Sequence, residues 1–165
     1  MKWLKQFLGI IGKRDKLEKF LKEIEIYTEQ EGLVEQLPEN DNDLKFHTVF
    51  NILYEANFIC TIDWQGMASD YIHELKKLHI LQFGDVDFAG LEDEFNRMKK
   101  QDVVRFIRKT DRFVKDFKFL IINTKSDSYG VVAIPKGKTS SFRYMAKATR
   151  LFKATQPKDE PVIQK

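Results

Sequence analysis

Apolar residues along the chain recur at two periods, three-to-four and two, and the change from one to the other separates helices from strands. Between Asp15 and Gln30, residues Leu17, Phe20, Leu21, Ile24 and Tyr27 keep the helical spacing, which predicts a helix stopped by Gly32. A second helix is predicted from an Asp43 cap to about Asn57, with Leu44, Phe50, Leu53 and Tyr54 inward. A third follows a Ser69 cap and turns Tyr71, Ile72, Leu75 and Leu78 to the core, and a fourth covers residues 91–100. The strongest helical pattern runs from Asp102 to Phe117, with Val103, Phe106, Ile107, Thr110, Phe113, Val114 and Phe117 on one face. A last helix, capped by Ser140 or Ser141, places Phe142, Met145, Ala146, Thr149 and Phe152 inward.

Strand patterns fall between these helices. "FICTID", Phe58 to Asp63, is apolar on both faces and reads as a central strand. "KFLIIN" and "GVVAIP" flank "TKSDSY", whose Ser and Asp residues favour a turn, so Phe119–Pro135 reads as an antiparallel hairpin. Leu120, Ile122, Val131 and Ala133, or their alternates, are expected on its core face. Pro135 cannot donate to a ladder, so the second strand ends there or lies at an edge. "HILQFGDVDF", residues 79–88, reads either as a short strand or as a buried connection. The pattern therefore predicts an α+β fold: five or six helices on a small, mostly antiparallel sheet that includes the C-terminal hairpin. The domain is expected to span residues 1–156, opening with an amphipathic helix over 1–12 and followed by a flexible tail over 157–165.

Composition supports a packed core. The 165 residues are 42% hydrophobic and include 14 Phe, which excludes a disordered chain and fits one domain. The single cysteine, Cys60, excludes an internal disulfide and points to a reducing, cytoplasmic setting. In the first 14 residues Lys5 and Gln6 interrupt the apolar run and no cleavage site follows, unlike a signal peptide. Trp3, Leu4, Phe7, Leu8 and Ile11 share a helical face, so residues 1–14 either dock on the domain or give peripheral membrane contact.

Charge changes the picture further. The net charge is +3, but residues 1–96 hold 10 Lys/Arg against 19 Asp/Glu and residues 97–165 hold 18 against 6. The halves therefore carry −9 and +12, a split that suits pairing within the fold or an oppositely charged partner. Two helices carry the basic excess. Arg105, Arg108, Lys109 and Arg112 lie on one, and Arg143, Lys147 and Arg150 on the other. Together with Trp64, a residue type enriched at binding hot spots, they form the candidate partner surface.

Catalytic motifs are weaker. "GKTS" at residues 137–140 lacks the glycine five residues earlier that a phosphate loop needs, because that position is Val132. "SDS" has no neighbouring base, and His73 and His79 stand six apart, off a common helical face. Asp85 and Asp87, with Asp63 nearby, are the one metal-hydrolase candidate, since paired carboxylates suit a hard divalent cation.

"FICTIDWQGMASDYIHELKKL" and "FLIINTKSDSYGVVAIPKG" resemble a group of small bacterial domains of unknown function, with a strand ending near Asp-Trp, a following helix and a late hairpin. That resemblance implies no activity. In type, as a small, motif-poor chain of lopsided charge, the sequence also resembles immunity proteins of contact-dependent toxin systems. The resulting expectation is a cytoplasmic, non-enzymatic protein-binding domain, of the immunity type that occludes a toxin, with no cofactor and no assigned catalytic residue. The alternatives are the Asp85/Asp87 hydrolase and polyanion or nucleic-acid binding through the basic helices.

Overall fold

The computed structural model describes residues 2–63, 66–82, 86–97, 103–110, 113–124 and 126–155. Six helices and four strands are found among them, in the order α1 (Lys2–Thr28), α2 (Phe46–Glu55), β1 (Cys60–Asp63), α3 (Ala68–Lys76), α4 (Phe88–Asn96), α5 (Val103–Thr110), β2 (Phe117–Asn123), β3 (Ser128–Pro135), α6 (Thr139–Ala148) and β4 (Ala154–Thr155). The strands form one antiparallel sheet in the order β1-β3-β2-β4. The chain is an α+β domain, as the pattern predicts.

The predicted hairpin is the centre of that sheet. β2 and β3 pair from Phe117↔Pro135 to Asn123↔Tyr129. At the turn, the Thr124 hydroxyl donates to the Ser128 carbonyl and meets the Ser126 hydroxyl at 2.7 Å, which fixes the chain reversal. Both faces of the hairpin are buried. Leu120, Ile122, Val132 and Ile134 pack with α1, α2 and α6 on one side. Phe119, Ile121, Val131 and Ala133 pack with α3, α4 and α5 on the other. Leu120 and Ile122 therefore lie on the opposite face from Val131 and Ala133. The alternates expected to compete for one core face fill two.

β1 needs a correction of the same kind. Among the described residues it pairs only with β3, from Cys60↔Val131 to Asp63↔Ser128, and so lies at the end of the strand order rather than in the middle. The apolar run spans two cores: Phe58 and Ile59, just before the strand, pack with α1, α2 and α6, whereas Cys60 and Ile62 pack with α3, α4 and α5, leaving Thr61 half-buried and Asp63 exposed on the other face of the strand. Gly130 sits opposite Thr61 at the point where the Phe50 ring of α2 comes down on the sheet. A Cβ there would stand 3.1 Å from that ring, so the missing side chain permits the contact.

Each side has an aromatic nucleus. Phe142 of α6 lies 5.3 Å from Phe20 of α1, centroid to centroid, while Tyr71, Phe95 and Phe106 join α3, α4 and α5 through edge-to-face contacts at 4.9 Å. Burying each such ring contributes about 1.5–3 kcal/mol before cavity costs are counted.

Several boundaries shift from the sequence reading. Asp43 ends a short 3₁₀ turn (Asp41–Asp43) capped by the Asn40 side chain, and α2 starts at Phe46. α3 starts at Ala68, its entry closed by the Asp70 carboxylate accepting from the Met67 N–H, so Ser69 lies within the first turn. Ser140 and Ser141 lie inside α6, which begins at Thr139 after a 3₁₀ turn over Lys136–Lys138. The largest shift is α5, which ends at Thr110. Val114 then bridges to Val86, and Phe117 has already joined β2. Strand pairing here overrides a helical pattern that the sequence continues to Phe117. Residues 79–88 open with a 3₁₀ turn (His79–Gln82), and β4 is a short edge strand that the pattern does not announce.

Candidate functional site

α6 supplies the outer wall of a groove of about 600 Å³. Arg143 and Lys147, four residues apart, share a face of α6 over about 6 Å of helix rise, and Arg150 follows just beyond the helix end. Lys153 lines the groove beside them, and Leu151, Phe152 and Ala154 give it an apolar floor. Tyr144 projects from α6 into solvent with 76% of its surface exposed, the largest exposure among the described large hydrophobic side chains.

Local structure sets these positions. Phe142, Ala146 and Thr149 are buried, which turns the intervening basic residues outward. The Thr149 hydroxyl donates to the Ala146 carbonyl and accepts from the Leu151 N–H. Arg150 follows in the left-handed region at φ 60°, reverses the chain and brings Lys153 and Ala154 back alongside the helix. Arg143 Nε donates to the Ala154 carbonyl at 3.3 Å, tying the helix to the edge strand. Among the described residues, Lys147, Arg150 and Lys153 have no ion-pair partner. Their charge is available to a ligand.

The other basic run lies elsewhere. α5 packs against the opposite face of the sheet from α6, so the two runs are two surfaces and not one. Lys109 is already paired with Glu94 of α4 at 2.7 Å, and Arg105 and Arg108, though exposed, also make contacts of their own. Trp64 and Arg112 lie outside the described residues.

The metal-hydrolase candidates divide similarly. Asp87 caps α4: its Oδ1 accepts from the Gly90 N–H at 2.8 Å, and a Cβ at Gly90 would collide with that carboxylate at 2.3 Å. Asp63 is exposed at the end of β1, and Asp85 lies outside the described residues. Among the described residues no three His, Cys, Asp or Glu side chains are placed to hold a metal ion. In "GKTS", Lys138 is exposed in the 3₁₀ turn, and the Thr139 hydroxyl donates to the Lys136 carbonyl at 3.0 Å. β3 runs straight to Pro135, which leaves no wrapped loop ahead of that lysine. Cys60 is buried, and its thiol is pushed well above the usual range by burial first and by the Glu74 charge second.

Arg14, the last residue of the segment for which peripheral membrane contact is an alternative, is held in the fold by Asp41 at 2.7 Å and by the Pro38 carbonyl at 3.1 Å. No helix of the described residues is long and apolar enough to cross a membrane.

Sequence reading missed Tyr144, Ser140 and Lys153 as groove residues. Tyr144 had a signal, an aromatic on the polar side of an otherwise regular amphipathic helix. Lys153 had a fainter one, a two-residue alternation with buried Phe152 and Ala154 on either side. No curated protein and no solved structure matches the chain. Residues 4–152, nearly the whole domain, match DUF6630, a domain of unknown function, and the chain belongs to that family.

Proposed function

We propose that this domain is a non-enzymatic protein-binding module that works in the cytoplasm and engages an acidic face of its partner through the α6 groove. The observation that carries this reading is an exposed tyrosine set beside Lys147, Arg150 and Lys153, which have no ion pair among the described residues, over an apolar floor. Arg and Tyr dominate binding energy where a partner desolvates them, and the surrounding charge steers encounter. In its finer form the module is of the immunity type, and occludes a toxin by covering that toxin's working surface.

A second reading rests on Tyr144 alone. An aromatic beside a row of cations also suits single-stranded nucleic acid, where bases stack and phosphates pair.

One titration separates the two. Labelled polyglutamate and single-stranded RNA are each bound to the full chain at low salt, alongside Tyr144→Ala and the double variant Lys147→Glu/Arg150→Glu. The protein reading expects polyglutamate to bind and the double variant to lose about tenfold or more in affinity, about 1.4 kcal/mol per decade. RNA binding that depends on Tyr144, with no polyglutamate binding, would replace it with the nucleic-acid reading. For the finer form, a partner cross-linked to Tyr144 in the native host should be toxic when expressed alone and tolerated with this chain.

A further inference from the structure

Between Lys22 and Lys45 the chain holds eight carboxylates and no Lys or Arg. Three are engaged within the fold: Glu23 accepts from the Tyr27 hydroxyl, Glu25 accepts from the Leu33 N–H, and Asp41 pairs with Arg14. The other five, Glu29, Glu31, Glu35, Glu39 and Asp43, are exposed and have no ion pair among the described residues. They sit on a connection held in shape by its own bonds. The Leu37 N–H donates to the Val34 carbonyl, Arg14 clamps residues 38–41, and Asn40 caps the 3₁₀ turn. One chain thus carries a fixed surplus of anions at residues 29–43 and a fixed surplus of cations in the α6 groove, and neither neutralises the other within a single copy.

We propose that the acidic connection of one copy docks in the α6 groove of a second copy. The charges are complementary, both surfaces are preorganised, and the net charge of +3 is too small to hold two copies apart. The contact joins two different patches. It is therefore head-to-tail, closing into a ring or extending as a chain. It relies on exposed charges and so is strongest at low ionic strength. It uses the groove assigned above to a partner protein, so a second copy competes with that partner.

The test uses the full chain alone, by sedimentation velocity across a concentration series. At about 10 mM salt, where exposed charges act over about 30 Å before being screened, the wild type should sediment as a dimer or larger; at about 300 mM it should be a monomer. Lys147→Glu/Arg150→Glu and Glu35→Lys/Glu39→Lys should each be monomeric at low salt, with unchanged melting temperatures. Mixing the two variants should restore association, since the intact acidic connection of the first meets the intact groove of the second. A monomeric wild type at low salt, association insensitive to either double variant, or no recovery on mixing overturns the proposal. A wild type that stays monomeric yet binds polyglutamate at the groove overturns self-association and leaves the partner reading standing. Self-association without polyglutamate binding does the reverse.

Discussion

α5 and α6 share one signature in the sequence, an apolar face backed by a row of basic residues, yet the fold gives their outer faces different surroundings. Around α5, Lys109 meets Glu94 across the α4–α5 contact, and the basic side chains belong to a mixed-charge surface. Around α6, the chain doubles back after Arg150, and the same residue types line a groove in which Lys147, Arg150 and Lys153 have no ion pair among the described residues. A basic stripe on a helix is therefore a solvated face or a site according to what the next element brings beside it. Their inner faces, by contrast, are equivalent: each supplies a fully buried phenylalanine to one side of the sheet.

That equivalence is the first thing to break. Phe106→Ala and Phe142→Ala should each cost about 3–5 kcal/mol in chemical denaturation, from lost transfer energy plus a residual cavity. A cost below about 1.5 kcal/mol at either site would show that one face of the sheet is dispensable.

On the outer faces the two helices should separate. Arg105→Glu/Arg108→Glu should leave polyglutamate affinity within about twofold, against about tenfold or more for the α6 pair. Equal losses from both would show that net charge, and not the groove, governs binding.

The sides should also differ in alkali. Cys60 lies on the α3–α5 side with its thiol pushed up by burial, so the folded state keeps a proton that the unfolded chain releases. That stability is fully present below about pH 9, the ordinary thiol value, and falls above it by up to about 1.4 kcal/mol per pH unit. Cys60→Ala should flatten the decline in urea melts compared across that range. An unchanged slope would assign it to other groups.

Lys109→Ala removes an exposed ion pair and should cost under about 1 kcal/mol, measured by the same melts. Smallest of all, Lys138→Ala should fall within about 0.5 kcal/mol. A nucleotide-dependent rise in Tm that Lys138→Ala abolishes would mean the 3₁₀ turn before α6 binds phosphate.

The pattern of residues reveals the layers of this fold better than its edges. The buried faces of α1, α3 and α6, and the β2–β3 hairpin, follow from spacing alone, because periodicity reports which side of an element is dry. Spacing is silent on what lies across the interface. It carried α5 on to Phe117, past the point where pairing with Val86 and with Pro135 takes the backbone, and it placed β1 at the centre because an apolar run does not report how many of a strand's edges are hydrogen-bonded. The groove was half legible. Arg143, Lys147 and Arg150 stand out as a stripe, but their separation from Arg105, Arg108 and Lys109 depends on which face of the sheet each helix covers. No local pattern encodes that.

The pairing of β1 with β3 also sets an order of events. Cys60 and Val131 are neighbours in space, and the whole of β2 lies between them in the chain. The hairpin closes over a few residues, which takes about 1–10 μs, whereas β1 must wait for a far longer loop to close. During synthesis, which proceeds from the N-terminus, α1 to α5 and β1 all emerge before the strands they pack on. Pulsed hydrogen exchange during refolding should protect the amides of Phe119–Ile122 and Val131–Ile134 ahead of those of Cys60–Ile62; simultaneous protection would mean that the layers condense together. If the hairpin does lead, the last third of the chain is the template on which the first two thirds finally settle.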